Sequence, residues 1–318
     1  MDDNERLQLA LDVTEREGIC LRARNARRRR ILRARADKGE LLAVRDDMFV
    51  RPEYWNGLTY RERIMHQLRT AARMHPNAVF SQISAAAIWG LNETYRMHDR
   101  IHFATDLQSH CRDRRYYAFH FMPKVEAEQH EGLNVTGLLQ TVFDCARTLD
   151  FPQALAICDA AMRIHGVVRH ALETFMEDRR GYKGVAAARK VAAHGDARCE
   201  NGGESIVRGL LIEWGYGIPL LQQWIQDPVT GRWYRVDFLW VLPTGEMIVL
   251  ELDGREKYVN PDMLAGGDGI DAVLAEKERE SNISLRGNIR FVRATYREFE
   301  REPEKVRFKL DLAGVPKQ

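Results

Sequence analysis

Two segments, WYRVDFLWVL and EMIVLELDG, flank the tripeptide Pro243-Thr244-Gly245, and they constrain the C-terminal part of this chain more tightly than any other feature. A three-residue loop ending in glycine is a common connection between antiparallel strands. With that loop, Leu242 faces Glu246, and the register carried back along both strands sets Asp237 opposite Glu251. Alternate residues of a strand share a face. Asp237, Leu239 and Val241 therefore lie with Met247, Val249, Glu251 and Asp253, while Val236, Phe238, Trp240, Leu242, Ile248, Leu250 and Leu252 form the other face. Both faces are apolar in mid-strand, which predicts a central hairpin covered on both sides. Three acids then gather at one end of one face.

Facing side chains in such a pair have Cβ atoms ~4.5–5.5 Å apart, where like charges destabilise the sheet. A raised pKa, a cationic neighbour (Arg235, Arg255 or Lys257) or a bound cation would relieve the repulsion. Two carboxylates at this spacing can chelate a hard divalent ion, and Mg²⁺ prefers carboxylate oxygens and retained waters. Such an ion polarises phosphoryl oxygens and activates water. Glu204 adds a fourth acid in the first turn of a predicted helix, Glu204–Trp214, where a negative charge is also favoured by the helix dipole alone.

The 318 residues are enough for two or three domains. The pattern predicts an α/β multidomain chain with boundaries at 1–55, 56–195 and 200–318, and the polar, glycine-rich stretch 194–203 as linker. The first region reads as helices Asn4–Glu17, Leu21–Asn25 and Ala26–Asp37, then short strands Leu42–Val44 and Met48–Val50, which describes a winged helix-turn-helix. The middle region is mixed α/β, with helices at Tyr60–Met74, Ser84–Leu91, Leu138–Leu149 and Pro152–Arg163, and strands at Ile101–Ala104 and Tyr116–Phe121. The last region alternates helix, three strands, helix Asp271–Leu285, strand Arg290–Arg293 and a final helix.

Net charge is only +2, but eight arginines fall within residues 22–35. A basic block on a near-neutral chain predicts a polyanion-binding face. Arg27, Arg28, Arg29 and Arg30 wrap around a helix, which suits phosphate contacts more than base reading, and Arg33, Arg35 and Arg45 continue the charge toward the wing. DNA is the partner this implies. Five scattered cysteines without a metal-ligand spacing, an acidic N-terminus and no long apolar run lead to the expectation of a cytoplasmic protein without a membrane segment. Trp214, Trp224, Trp233 and Trp240 are expected in the core, with Trp233 near the hairpin mouth also placed to stack on a base.

The run GGES…R..L, RVDFLW, ELDGREKY and GNIRFVRAT, from Glu204 to Phe299, resembles the PD-(D/E)XK restriction-endonuclease-like superfamily, nearest to relatives of the very-short-patch repair endonuclease. The resemblance implies a restriction-endonuclease-like α/β domain with a central mixed sheet. It also implies Mg²⁺- or Mn²⁺-dependent phosphodiester hydrolysis, with Asp237 and Glu251 holding the metal, Asp253 ligating it, and Glu204 assisting. The superfamily has a lysine two residues after the strand acid; here Asp253 stands there, so Lys257 or Lys277 is the candidate for the missing positive charge. Residues 15–165, through AVFSQISAAAIWGL, GLNVTGLLQTVFDCART and ALAICDAAMR, are similar to abortive-infection antitoxins of the AbiEi type. That resemblance implies operator binding by the winged helix and a cognate toxin protein as partner. Two functions follow: a DNA endonuclease targeted by its winged helix, in phage defence or a toxin–antitoxin setting, or a DNA-binding regulator whose nuclease fold has lost activity.

Overall fold

The computed structural model describes residues 2–45, 47–92, 94–108, 114–253 and 268–318. They form two compact units, one of Met1–Leu149 with Ile164–Ala193, the other of Asp150–Arg163 with His194–Gln318. Both are mixed α/β. Among the described residues no helix is long and apolar enough to cross a membrane.

The first unit opens with α1 (Asp3–Arg16), fixed at its start by a reciprocal capping box between Asp2 and Glu5. Next come β1 (Leu21–Arg22), α2 (Ala26–Asp37), β2 (Leu42–Arg45) and β3 (Met48–Val50), the strands forming an antiparallel sheet in the order β1-β3-β2. Leu7, Leu11, Leu21, Leu32, Leu41 and Phe49 make its small core. The helix expected at Leu21–Asn25 does not form. Leu21 and Ala23 are buried while Arg22 and Arg24 are exposed, a period of two that pairs Leu21 with Phe49 and Arg22 with Met48. Asn25 is the N-cap of α2, accepting from the Arg28 N–H at 2.8 Å. This part therefore has two helices and three strands where the sequence suggests three helices and two.

The rest of this unit is built on a five-stranded sheet: β4 (Val79–Phe80), β5 (Ile101–Thr105), β6 (Tyr117–Phe121), β7 (Ala127–His130) and β8 (Leu133–Thr136), in the order β6-β5-β4-β8-β7. Helices α3 (Pro52–Gly57), α4 (Tyr60–Met74), α5 (Gln82–Ile88), α6 (Leu138–Ala146), α8 (Arg169–Glu177) and α9 (Val185–His194) complete it.

In the second unit α10 (Gly202–Glu213) precedes β9 (Leu220–Gln226), β10 (Trp233–Val241) and β11 (Met247–Asp253); α11 (Asp268–Ser284), β12 (Ile289–Thr295), α12 (Tyr296–Arg301) and α13 (Pro303–Ala313) follow. The sheet order is β12-β11-β10-β9, with β11 and β12 parallel and the other pairs antiparallel. A parallel pair needs a long crossover, and α11 lies within it. One side of the sheet carries Phe238, Trp240, Ile248 and Leu250 against Val207 and Leu211 of α10 and Val306 and Leu310 of α13. The other carries Leu239, Val249 and Ile289 against Ile283 of α11.

Helix α7 (Phe151–His165) runs with the second unit over residues 151–163 and is tied to α10 by a buried ion pair. Arg208 donates through one nitrogen to both Asp159 oxygens, at 2.8 and 2.7 Å, and through another to the His194 carbonyl at 2.7 Å. Neither side chain reaches solvent, and burial holds the Asp159 carboxyl above its ordinary value against the pull of Arg208. Removing one partner leaves an uncompensated buried charge. Asp159→Ala should lower stability by about 3–5 kcal/mol in urea denaturation, and the double change Asp159→Ala, Arg208→Met should recover part of that loss.

Candidate active site

The β10–β11 turn closes through the Leu242 N–H to the Glu246 carbonyl and the Gly245 N–H to the Leu242 carbonyl, both at 2.8 Å, with Gly245 at φ 83°. The register runs Val241↔Met247, Trp240↔Ile248, Leu239↔Val249 and Phe238↔Leu250. One step further lie Asp237 and Glu251. There the regular ladder ends, and the Asp237 Oδ2 accepts from the Leu252 N–H at 2.8 Å. On the other edge of β10 the register steps from Val236↔Gln223 to Phe238↔Leu221. Between them stands Gln222 at φ 53°, a left-handed conformation uncommon for a residue with a side chain.

This break reverses the faces of the sheet, which corrects the simple alternation read from sequence. Phe238 and Trp240 pack on the α10 side. Tyr234 and Val236, of the same parity, pack with Ile225 on the α11 side, and Arg279 of α11 lies 5.3 Å over the Tyr234 ring. Val236 therefore does not share a face with Phe238. Asp237 sits where the strand turns over, within the electrostatic reach of acids from two other elements.

Glu251 is one of these acids. Its Oε1 is buried and has no hydrogen-bond partner among the described residues; the Arg279 guanidinium stands 3.9 Å away, too far for a bond. Burial pushes its carboxyl up to about 7, and the Asp237 charge adds to the shift while Arg279 and Arg293 oppose it. Glu204 is the other acid, 5% exposed on α10. Its Oε2 accepts from the Glu200 N–H at 2.8 Å and from the Gln222 amide at 2.9 Å, and its Oε1 from Asn201 at 2.6 Å. Burial pushes it too up to about 7, opposed by the Glu200 N–H and reinforced by Asp237. The left-handed turn at Gln222 thus aims its amide at Glu204.

Asp253 is placed differently. It forms an ion pair with Arg293 at 3.3 Å, and Arg293 also binds Glu276 and Glu280, both at 2.9 Å. Among the described residues no group of three or more His, Cys, Asp or Glu side chains is arranged to hold a metal ion. The three-ligand set Asp237, Glu251 and Asp253 is therefore not assembled; Arg293 occupies Asp253. Lys257 and Arg255 lie outside the described residues. Lys277 is exposed on α11, and the cation of that helix beside Glu251 is Arg279. Sequence reasoning missed Arg279, Arg293 and Gln222. Arg279 carried a signal in the alternating charges of AEKERE, since residues three and four apart share a helix face. Gln222 carried none.

On the first unit, Arg27, Arg28, Arg29, Arg30 and Arg33 are exposed along α2, whose buried residue is Leu32. Arg35 is half-buried, donating to Asn4 at 2.9 Å with Glu40 at 3.5 Å. Arg45 does not belong to this face. It is 5% exposed and donates to Gln67 and to the His98 and Asp99 carbonyls at 2.7–2.8 Å. The tryptophans also divide: Trp240 is buried and Trp214 stacks on Phe299, but Trp224 and Trp233 are 60% and 59% exposed.

No family model matches the chain. Two uncharacterized proteins of Mycobacterium tuberculosis, MT2308 and Rv2248, are each 38% identical to it over 100 residues, which is 31% of the chain and 36% of each relative. The chain thus spans about a third of the length of the curated relatives it matches.

The raised carboxyl of Glu251 sets the sign of a stability effect. The folded state keeps its proton to about pH 7, whereas the unfolded chain releases it near 4.5, so this group lowers stability progressively as pH rises across that window. In chelator-treated buffer, Glu251→Gln should remove the effect. Its urea-unfolding free energy relative to the unaltered protein should rise by up to about 3 kcal/mol between pH 4.5 and 8. A difference that stays flat across this range contradicts the assignment.

Proposed function

We propose that the second unit is a divalent-metal-dependent endodeoxyribonuclease and that α2 of the first unit binds DNA. The observation that carries this reading is the closeness of Asp237 and Glu251 at the broken end of the β10–β11 ladder, with the Glu251 Oε1 buried and lacking a hydrogen-bond partner among the described residues. An orphaned carboxylate oxygen beside a second carboxylate fits a hard cation, which would answer both the missing partner and the repulsion. Asp237 and Glu251 would hold Mg²⁺ or Mn²⁺. When bound, the ion supplies Lewis-acid polarisation of a phosphoryl oxygen and makes water a better nucleophile.

The chain's own groups supply the rest. Glu204, with its carboxyl near 7, can accept or return a proton at neutral pH, and Gln222 and Asn201 hold it in place. Arg279 brings a positive charge beside Glu251 from α11, the charge that the related motif takes from a strand lysine. The resemblance of Glu204–Phe299 to the PD-(D/E)XK superfamily supports the same assignment. The exposed arginines of α2 support phosphate binding, and the winged-helix reading of this part rests on the β2–β3 hairpin that follows. A second reading, a DNA-binding regulator or antitoxin without cleavage, is favoured by Asp253 standing in the motif-lysine position and pairing with Arg293.

Plasmid nicking with Mg²⁺ or Mn²⁺ tests the reading. Asp237→Ala and Glu251→Ala should each lower the cleavage rate by at least about 100-fold, as expected for loss of a metal ligand. No cleavage by the unaltered protein, with no metal bound in calorimetry, would establish the regulator instead. For α2, replacing Arg28, Arg29 or Arg30 by Ala should reduce the log–log salt slope of duplex binding by ~0.9 per lost phosphate contact. An unchanged slope would remove α2 from the interface.

A further inference from the structure

Beyond the break at Asp237, the face of the sheet turned away from α11 is exposed. Ile225, Tyr234 and Val236 face α11, so the alternate residues Trp224, Trp233 and Arg235 point the other way. The register pairs Trp224 with Arg235 and Gln226 with Trp233. Trp224 and Trp233 are therefore diagonal neighbours on one face, about 7–8 Å apart. The Arg235 guanidinium lies 5.9 Å from the Trp224 ring centre and is ion-paired to Glu200, which fixes its direction. Both indoles are more than half exposed, an unusual state for the largest apolar side chain.

We infer that this face is a stacking platform for single-stranded DNA, delivering an unpaired strand to the Asp237–Glu251 site. The inference rests on the nuclease reading and names its substrate class. Arg235 is two residues from Asp237 along one strand, about 7 Å, and Trp233 about 13 Å. The platform adjoins the α10 side of the site: Glu200, which pairs with Arg235, donates its N–H to Glu204, so bases held on the indoles would lie within a few nucleotides of Glu204 and Asp237. Every base offers a π-face, so two indoles with an arginine between them bind a strand without reading its sequence. Arg232 and Arg286 are exposed at this end of the sheet, Arg286 donating to the Gln226 carbonyl at 2.6 Å, and add positive charge for the backbone. A protein partner fits less well, because it would cover the Arg235–Glu200 pair, and acidic residues are depleted from the cores of protein interfaces.

The test is binding of a labelled oligothymidylate to the full chain in EDTA, with Arg28, Arg29 and Arg30 replaced by Ala to silence α2. Trp224→Ala and Trp233→Ala should each weaken binding by roughly 5- to 100-fold. Phenylalanine at either position should restore most of the affinity, and the bound strand should quench tryptophan fluorescence. Absence of binding by the parent, equal affinity in both alanine variants, or a dimer that the alanine variants dissociate while oligothymidylate affinity stays constant, would overturn the platform. Failure of cleavage with the platform intact would sink the nuclease reading alone, and cleavage with no loss in the alanine variants would sink the platform alone.

Discussion

A backbone N–H at the end of β11 depends on the Asp237 carboxylate. Leu252 donates to it in place of a regular strand partner, and much of the second unit follows from that exchange. An unsatisfied buried N–H costs about 1–3 kcal/mol, so the ladder can open here only because the side chain takes over. The left-handed backbone at Gln222 costs about 1–3 kcal/mol more. Burial raises the carboxyls of Glu204 and Glu251, and the Asp237 charge raises both further. All of these costs fall at one end of a sheet whose middle is apolar on both faces, with Phe238, Ile248 and Leu250 buried on one side and Val249 on the other. The apolar middle supplies the stability that the polar end consumes.

How much of this was legible depended on whether the deciding contact was local. The hairpin register followed from loop length and alternation, which act over a few residues, so the pairs from Val241 and Met247 to Phe238 and Leu250 could be set without coordinates. The reversal of faces could not be read, because it turns on a glutamine in a left-handed conformation. Glycine or asparagine would have announced such a residue; glutamine does not. The β7–β8 hairpin was missed for a related reason. Its turn is Glu131-Gly132, both at positive φ, and the strands it joins are poor in apolar residues. Arg45 was counted with the basic block because it lies near it in sequence. Its actual partners, Gln67, His98 and Asp99, are far along the chain, and a charge run offers no warning that one member is buried.

The lysine that the proposed nuclease reading calls for shows the same limit from the chemical side. A search along the strand meets Asp253, and a search of the next helix by residue type meets Lys277. The fold instead brings Arg279 to Glu251 and gives Asp253 to Arg293. Arginine and lysine are not equivalent here. A guanidinium stays charged whatever its surroundings, whereas a lysine beside a buried acid can lose its proton. With Arg279 as the neighbour, the proton that moves near neutrality belongs to the carboxylates, and Glu251 and Glu204 are the groups tuned for it.

Helix α2 carries its own internal cost, one that the proposed phosphate partner would offset. It buries Leu32 and has no acid in its first turn, where Arg27 and Arg28 stand instead. Positive charge at a helix N-terminus opposes the dipole by a few tenths of a kcal/mol per residue, and neighbouring arginines repel one another. The Asn25 cap offsets part of this. A phosphate at the same end reverses the balance: it is attracted by the dipole and by the arginines together. The arrangement that is unfavourable in the free helix is therefore the one that gains most on binding a polyanion, and it loses that gain as salt screens the charges.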